Sequence, residues 1–155
     1  MKPGSVAIVG AAETDEIGVL PDHSRLHLHV EAARNAMRDA GVDIGDIDGI
    51  AGSGAIADPC NAVEIAWYLG IKPTWVDTTS VGGTSFLLHV RHAAAAIVAG
   101  MATTVLITHG ESGRSRNGMG NFSHNPVSLI SQYEMPFGAL GPPSLFTIPA
   151  LRFMK

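Results

Sequence analysis

Apolar residues follow two alternating patterns along the first two thirds of the chain: short continuous runs and longer stretches with helical spacing. Residues 5–10 are nearly all apolar and end in glycine, which predicts a strand buried on both faces. Residues 24–40 keep apolar residues at helical spacing between a capping serine, Ser24, and a stop signal, Gly41. The chain is therefore predicted to begin with a strand followed by a crossover helix.

Three further strands and two further helices continue this alternation. Strands are predicted over residues 47–52, 74–78 and 103–108, and a short helix over residues 62–69. Residues 83–100 form the longest predicted helix, and apolar residues on nearly all of its sides are typical of a helix between two layers. The order β-α-β-α-β-α-β predicts a mostly parallel α/β sheet with helices on its faces, and sites at the carboxyl ends of its strands.

The composition changes sharply after the last predicted strand. Glycine, serine, asparagine, proline and methionine dominate residues 109–143, which favours a long loop or small lid over the site, with a disordered tail as the alternative. Residues 145–155 are apolar with helical spacing and lack a stop signal, which indicates that a longer chain continues from them. The predicted organisation is a core half over residues 1–110, a loop region over 111–143, and over 144–155 the start of a helix that leads to a missing C-terminal half.

Composition excludes several classes of function. Charged residues make up 15% of the chain and the formal net charge is −4, which rules out the dense basic surface that nucleic acids require. No apolar run reaches the length of about 18 residues that a membrane span needs. The only cysteine, Cys60, cannot form an internal disulfide, and no signal-peptide pattern precedes the first strand, so that a cytoplasmic location is predicted.

The junction between the third predicted strand and the longest helix reads V-D-T-T-S-V-G-G over residues 76–83. This segment resembles the thiolase family, in which V-N-x-x-C-x-x-G joins the same elements and the cysteine is the nucleophile. Ser80 stands at the cysteine position, Asp77 at the asparagine position and Gly83 at the glycine position. The V-A-I-V-G strand, the A-G-V-D helix end and a T-H-G-E-S turn agree with the family in order, although Glu111 follows its glycine without the family's intervening residue.

The resemblance covers essentially the whole chain and implies a thiolase-like fold, of which the chain is the N-terminal half. The branch it resembles is that of SCP2-type thiolases and lipid-transfer proteins that lack the nucleophilic cysteine. In the family, a catalytic histidine and a second cysteine come from the C-terminal half, so that this chain alone is expected to be inactive. The full-length protein is expected to be an enzyme of acyl-CoA chemistry.

A serine changes the chemistry that is possible at this position. Backbone N–H groups at the helix start, left accessible by Gly82 and Gly83, create a positive potential that favours an anion. That potential lowers the pKa of a cysteine thiol from about 8.5 and produces a thiolate that attacks thioesters. A serine hydroxyl needs an adjacent general base instead, so that Ser80 is predicted to be a poor acyl acceptor unless a histidine reaches it. Cys60 is predicted to be a small buried residue and not a substitute nucleophile.

Three functions follow from the resemblance. The first is an acyltransferase-related or degenerate thiolase that acts on acyl-CoA thioesters, with coenzyme A as part of the substrate and no other cofactor. The second is a retro-aldolase that cleaves a β-hydroxyacyl-CoA together with an OB-fold, zinc-ribbon partner, because that reaction needs a base and enolate stabilisation but no covalent acyl-enzyme. The third is a non-catalytic lipid-transfer or dimerising protein, and a homodimer is expected because thiolase-fold chains pair near the third strand.

Polar residues around the strand ends complete the candidate site. Ser80, Gly82 and Gly83 are the predicted catalytic positions. His109 and His124 lie where the loop region covers the strand ends and are predicted to contact substrate. The phosphates of coenzyme A are predicted to be bound by two arginines of the same loop, Arg114 and Arg116.

A serine hydrolase is the rival enzyme class, because serine also follows strands in that fold. Its G-x-S-x-G pattern is not met, since the segment over residues 110–114 has Arg114 where the last glycine belongs, and the Ser80 turn lacks the first glycine. The sequence therefore favours the thiolase-like interpretation.

Seven histidines raise the question of a metal site. His27 and His29 are two residues apart and cannot share a helical face, whereas His89 and His92 are three apart and can. No further ligand stands at a suitable spacing near either pair, so that no metal site is predicted.

Overall fold

A parallel sheet of three short strands organises the computed structural model, which describes residues 2–54, 60–115, 126–139 and 141–155. The central strand pairs in parallel with a neighbour on each side, with Ile50 level with Val76 on one side and Leu106 on the other. The strands, in chain order, are β1 (Gly49–Ala51), β2 (Trp75–Asp77) and β3 (Val105–Ile107), and their order across the sheet is β2-β1-β3.

The predicted capping signals define the first two helices. The side chain of Ser24 accepts a hydrogen bond from the backbone of His27, and Gly41 ends the helix in a left-handed conformation with φ of 67°. Asn61 and Gly70 do the same for the second helix. The helices, in chain order, are α1 (Arg25–Ala40), α2 (Ala62–Leu69), α3 (Ser85–Val98), α4 (Leu129–Tyr133) and α5 (Pro142–Phe153).

The hydrophobic core joins α1, α2 and the sheet. Ile50 at the centre of β1 and Ile65 on α2 are completely buried. The residues that form this core are Ala33, Met37, Ile47, Ile50, Ala62, Ile65, Ala66, Ile71 and Leu106. The predicted strand-helix alternation from residue 24 onwards and the predicted parallel α/β fold are therefore confirmed.

The strand predicted over residues 5–10 is not formed, and that prediction was wrong. Ile8 and Val9 expose 76% and 62% of their surface, and the sheet within the described residues has three strands. Only the last residue of the segment, Gly10, lies against α1, where it packs on Ala36 and Ala40. An apolar run becomes a strand only where it hydrogen-bonds to a neighbouring strand. Among the described residues this segment pairs with no strand, so that β3 remains at the edge of the sheet.

The prediction that α3 lies between two layers is also wrong for the described residues. The helix contacts all three strands and buries one stripe, formed by Ser85, His89, Ala93 and Ala96. Its opposite side exposes Leu87, Val90 and Val98. An all-round apolar pattern shows which sides tolerate burial, but it does not supply the second layer that would cover them.

Residues 120–155 form a compact unit of their own, separate from the unit over residues 1–119. The helix predicted near the end of the chain is present as α5, and α4 lies within the region predicted as a loop. Most apolar side chains of α5 are exposed, with Phe153 at 92%. Across the described part of the chain, none of the helices combines the length and the apolar character that crossing a membrane requires.

Asp48 ties the start of β1 to the start of β3. Its carboxylate accepts hydrogen bonds from the backbone N–H groups of Thr103 and Thr104, both at 2.8 Å, and from the Thr103 hydroxyl at 2.7 Å. Burial raises the pKa of Asp48, but the hydrogen bonds from Thr104 and Thr103 lower it by more, so that the pKa lies below its ordinary value. The ionised carboxylate therefore stabilises the folded chain.

Replacing Asp48 with asparagine is expected to lower the free energy of unfolding by about 1–2 kcal/mol at pH 7, because charge-assisted hydrogen bonds are lost at a partly exposed site. The folded pKa is depressed, so this contribution is complete above the unfolded pKa of about 3.9 and disappears as the pH falls through the folded pKa. Urea unfolding of both proteins between pH 2 and 7 measures the difference. The Asp22→Asn variant is the control, and equal destabilisation of D48N at pH 2 and pH 7 would contradict the expectation.

Candidate active site

Polar side chains follow each of the three strands at the same edge of the sheet. Ser53 comes two residues after β1, Ser80 three residues after β2, and Thr108 and His109 directly after β3. Because the strands are parallel, their carboxyl ends meet at one edge, which is where ligands bind in open α/β sheets. The fold therefore assembles the candidate active site from three loops.

Ser80 is exposed and pairs with a second hydroxyl. The Ser53 Oγ donates to the Ser80 Oγ at 3.1 Å. Among residues 2–54 and 60–115, no histidine forms a hydrogen bond with Ser80. A serine without an imidazole partner keeps its ordinary weak nucleophilicity, so that this geometry does not provide an acyl acceptor. Ser53 was not identified from the sequence, because only the pairing of β1 with β2 brings it to Ser80.

The turn between Ser80 and α3 is held by Ser85. This completely buried serine accepts a hydrogen bond from the Val81 N–H at 2.9 Å and donates to the Gly82 carbonyl at 2.6 Å. Gly82 has a φ of 80°, a conformation that glycine adopts without strain. No atom lies within 4 Å of the place where a Cβ of Gly83 would stand. The turn therefore leaves open space beside both glycines.

A carboxylate and two histidines fix the other side of this turn. Asp77 accepts hydrogen bonds from the Thr79 N–H at 2.8 Å and from the Nδ1 of His92 at 2.6 Å. Burial raises the pKa of Asp77, but hydrogen bonds from Thr79 and His92 lower it by more, so that the pKa lies below its ordinary value. The Nε2 of His89 donates to the Thr79 carbonyl at 2.9 Å. Within the described residues its Nδ1 is buried without a hydrogen-bond partner.

His109 lies against an aromatic ring and a carboxylate. Its imidazole centroid is 4.6 Å from that of Phe86 in the first turn of α3, and its Nε2 is 3.4 Å from an oxygen of Glu111. The side chain is 46% exposed. Behind it, the buried His29 donates from Nδ1 to the Thr108 hydroxyl at 3.1 Å. His109 therefore combines access to solvent with a carboxylate that can orient its ring.

A cavity of about 610 Å³ opens between the segment over residues 10–20, α1 and the end of β3. His109, Glu111 and Ser112 line it, whereas Ser80, Gly82 and Gly83 are not among its lining residues. The structure thus places the predicted residues on two parts of the sheet edge. Ser80 belongs to the open surface above β2, and His109 belongs to the cavity beside β3.

The remaining predicted residues have separate positions. Arg114 is exposed in a single turn of 3-10 helix at Gly113–Ser115, while Arg116 and His124 lie outside the described residues. Cys60 is buried, as predicted. Ser112, the serine of the rejected hydrolase pattern, is also buried and donates to the Gly18 carbonyl at 2.8 Å, which is a structural role.

The chain matches no protein-family model, but it is similar to two proteins that are named as a lyase and an aldolase. It is 27% identical over 99% of its length to the 17-hydroxy-3-oxo-4-pregnene-20-carboxyl-CoA lyase of Mycobacterium tuberculosis. It is 29% identical over 98% of its length to a steroid side-chain-cleaving aldolase of Thermomonospora curvata. The chain spans 41% and 40% of the length of these two relatives.

Solved structures of similar fold include the following two. An Ltp2-ChsH2(DUF35) aldolase matches 96% of this chain and 39% of its own, with a TM-score of 0.70 and 27% identity. A monomeric SCP2-thiolase-like protein type 1 of Mycobacterium smegmatis matches 64% of this chain and 22% of its own, with a TM-score of 0.52 and 29% identity. The chain resembles the N-terminal, thiolase-like half of such proteins, which confirms the predicted resemblance and fold.

Proposed function

We propose that this thiolase-like chain is part of a retro-aldolase that cleaves a β-hydroxyacyl-CoA thioester. The observation that carries the proposal is the Ser80 site, where a serine replaces the thiolase cysteine and its hydrogen-bond partner is the Ser53 hydroxyl and not a base. Retro-aldol cleavage needs no covalent acyl-enzyme, so that the missing cysteine changes the reaction without abolishing catalysis.

The reaction requires two contributions from the protein, a general base and stabilisation of an enolate. A general base removes the proton of the β-hydroxyl group, the bond between the α and β carbons breaks, and the β carbon becomes a ketone. The electron pair of the broken bond passes into the thioester as an enolate, and protonation of the α carbon gives a shorter acyl-CoA. Hydrogen-bond donors aimed at the thioester oxygen stabilise the enolate as it forms.

We assign both contributions to residues at the carboxyl edge of the sheet. His109 is the base in our proposal, because it lines the cavity, is half-exposed and has a carboxylate of Glu111 beside its Nε2. We assign stabilisation of the enolate to the turn at Gly82 and Gly83, where the space beside both glycines is open. We assign Arg114, an exposed cation two residues after the cavity residue Ser112, to the phosphates of coenzyme A.

The named relatives support this choice among the functions that the sequence left open. One is called a carboxyl-CoA lyase and one a side-chain-cleaving aldolase, and a similar solved structure is an aldolase that includes a DUF35 component. We therefore propose that the whole protein works with an OB-fold, zinc-ribbon partner. Arg116 and His124 remain proposed substrate contacts, and a homodimer in the cytoplasm remains an expectation.

The whole protein, alone and with the partner, is expected to convert a β-hydroxyacyl-CoA with a tertiary alcohol into equal amounts of ketone and shorter acyl-CoA. His109→Gln is expected to lower kcat by about 10²- to 10⁴-fold, the range of a lost general base. Ser80→Ala is expected to keep kcat within about 10-fold, whereas loss of a covalent nucleophile costs on the order of 10⁶-fold. Chromatography of both products measures these rates, with Ser5→Ala as the control.

Other outcomes identify the alternatives. Absence of both products, with and without the partner, would remove the retro-aldolase proposal. A Ser80→Cys variant that gains thiolysis of a 3-oxoacyl-CoA would favour a degenerate thiolase. Tight lipid binding without any turnover would favour a lipid-transfer protein.

A further inference from the structure

Three metal-ligating side chains lie together at the start of α1, outside the candidate active site. His23 precedes the capping residue Ser24, and His27 and Glu31 follow at intervals of four residues. That spacing places side chains on one face of a helix. One donor atom from each residue lies within 4.8 Å of the other two. The fold thus brings two imidazoles and a carboxylate to a single point.

We infer that His23, His27 and Glu31 form a binding site for a divalent transition-metal ion, with zinc as the best match. Two imidazoles and one carboxylate are a zinc ligand set that leaves a fourth position for water or another ligand. Calcium and magnesium prefer oxygen ligands throughout, so that the two histidines disfavour them. The donor atoms lie within 4.8 Å of one another, and side-chain rotation must bring them closer to reach zinc bonds of about 2.0–2.2 Å.

The surroundings of the three residues point to a cation independently of their spacing. One carboxylate oxygen of Glu31 is buried and, within the described residues, has no hydrogen-bond partner, which is unfavourable for an acceptor unless a cation or donor reaches it. The rings of His23 and His27 are stacked, with centroids 4.4 Å apart and planes inclined by 21°. The stack keeps the two imidazoles side by side, and one ring must rotate out of it before both direct a nitrogen at the same ion.

The site has a structural consequence for α1. A metal ion held by His23 and Glu31 joins the residue before the helix cap to the second turn of the helix. The positive end of the helix dipole opposes a cation there, but this effect is small beside the coordination of three ligands. Ion binding is therefore expected to stabilise the start of α1, on which the cavity wall depends through Leu28.

Zinc binding to the metal-free protein tests the inference. After chelator treatment and dialysis, calorimetric titration with Zn²⁺ is expected to show one ion per chain, and Co²⁺ is expected to give the visible absorption bands of a low-symmetry site. His27→Ala and Glu31→Gln are each expected to weaken Zn²⁺ binding by more than about 100-fold, beyond the range seen for supporting residues of metal sites. Circular dichroism verifies that both variants are folded.

The matched control is His92→Gln. It removes a histidine of α3, a different helix, whose ring hydrogen-bonds to Asp77 of β2. Its Zn²⁺ affinity is expected to equal that of the unaltered protein. The inference is overturned if Zn²⁺ and Co²⁺ do not bind, or if H27A and E31Q bind Zn²⁺ as tightly as H92Q does. These results are independent of the retro-aldolase assay, because none of the three ligands has a role in the proposed reaction.

Discussion

Replacing Gly110 with alanine is expected to lower the free energy of unfolding by about 3 kcal/mol, the upper part of the range for overpacking. A Cβ at this position would stand 2.6 Å from the His29 Cδ2, 2.7 Å from the His29 nitrogen and 2.9 Å from the Arg25 carbonyl oxygen. Two of these atoms are backbone of α1 and cannot rotate away, so that α1 and the end of β3 must separate. Urea denaturation measures the loss.

Gly45→Ala is the matched control, because no atom lies within 4 Å of the place where its Cβ would stand. That variant is expected to change the free energy of unfolding by less than about 1 kcal/mol. Gly110→Ala is also expected to displace the His109 imidazole from Phe86, because His109 directly precedes residue 110 in the chain. If G110A lowered the free energy of unfolding by less than about 0.5 kcal/mol, α1 would not be tightly packed against the residue that follows the end of β3.

Ile50→Ala is expected to lower the free energy of unfolding by about 4 kcal/mol, within the range for large-to-small changes in a core. Ile50 is completely buried at the centre of β1, with Ile65 and Leu106 in the same core. The cavity left by three methyl or methylene groups cannot close, because β1 has a strand on each side. Thermal and urea unfolding measure the change.

Two variants calibrate this result. Ile50→Val removes one methylene from the same position and is expected to cost about 1 kcal/mol. Val63→Ala shortens a side chain of α2 that is 56% exposed and is expected to cost less than about 0.5 kcal/mol. If I50A were no more destabilising than V63A, Ile50 would not be part of a packed core.

Local signals predicted the helices well and the first strand poorly. Ser24 and Gly41 bound α1 as expected, because capping depends on atoms a few residues apart. The run over residues 5–10 has the composition of a buried strand, but strand formation depends on a partner that a local pattern does not identify. The same limit applies to α3, whose exposed Leu87 and Val98 carry a pattern typical of burial.

The candidate site shows the same division between local and distant information. The junction motif placed Ser80 correctly between β2 and α3, but its partner Ser53 depends on strand pairing. The metal-ligating cluster was visible in the sequence as H-x-x-x-H-x-x-x-E from His23 to Glu31. Helical spacing alone does not predict it, because the first histidine lies before α1 begins.

The strand order across the sheet also leads us to expect an order in which the strands dock during folding. Residue 49 pairs with residue 75 on one side and with residue 105 on the other. The chain segment that must close to pair β1 with β3 is therefore roughly twice as long as the segment that closes to pair β1 with β2. Each doubling of a loop adds about 0.6 kcal/mol to the entropic cost of closing it. β1, α2 and β2 are therefore expected to condense first, and β3 to dock later on this preformed nucleus.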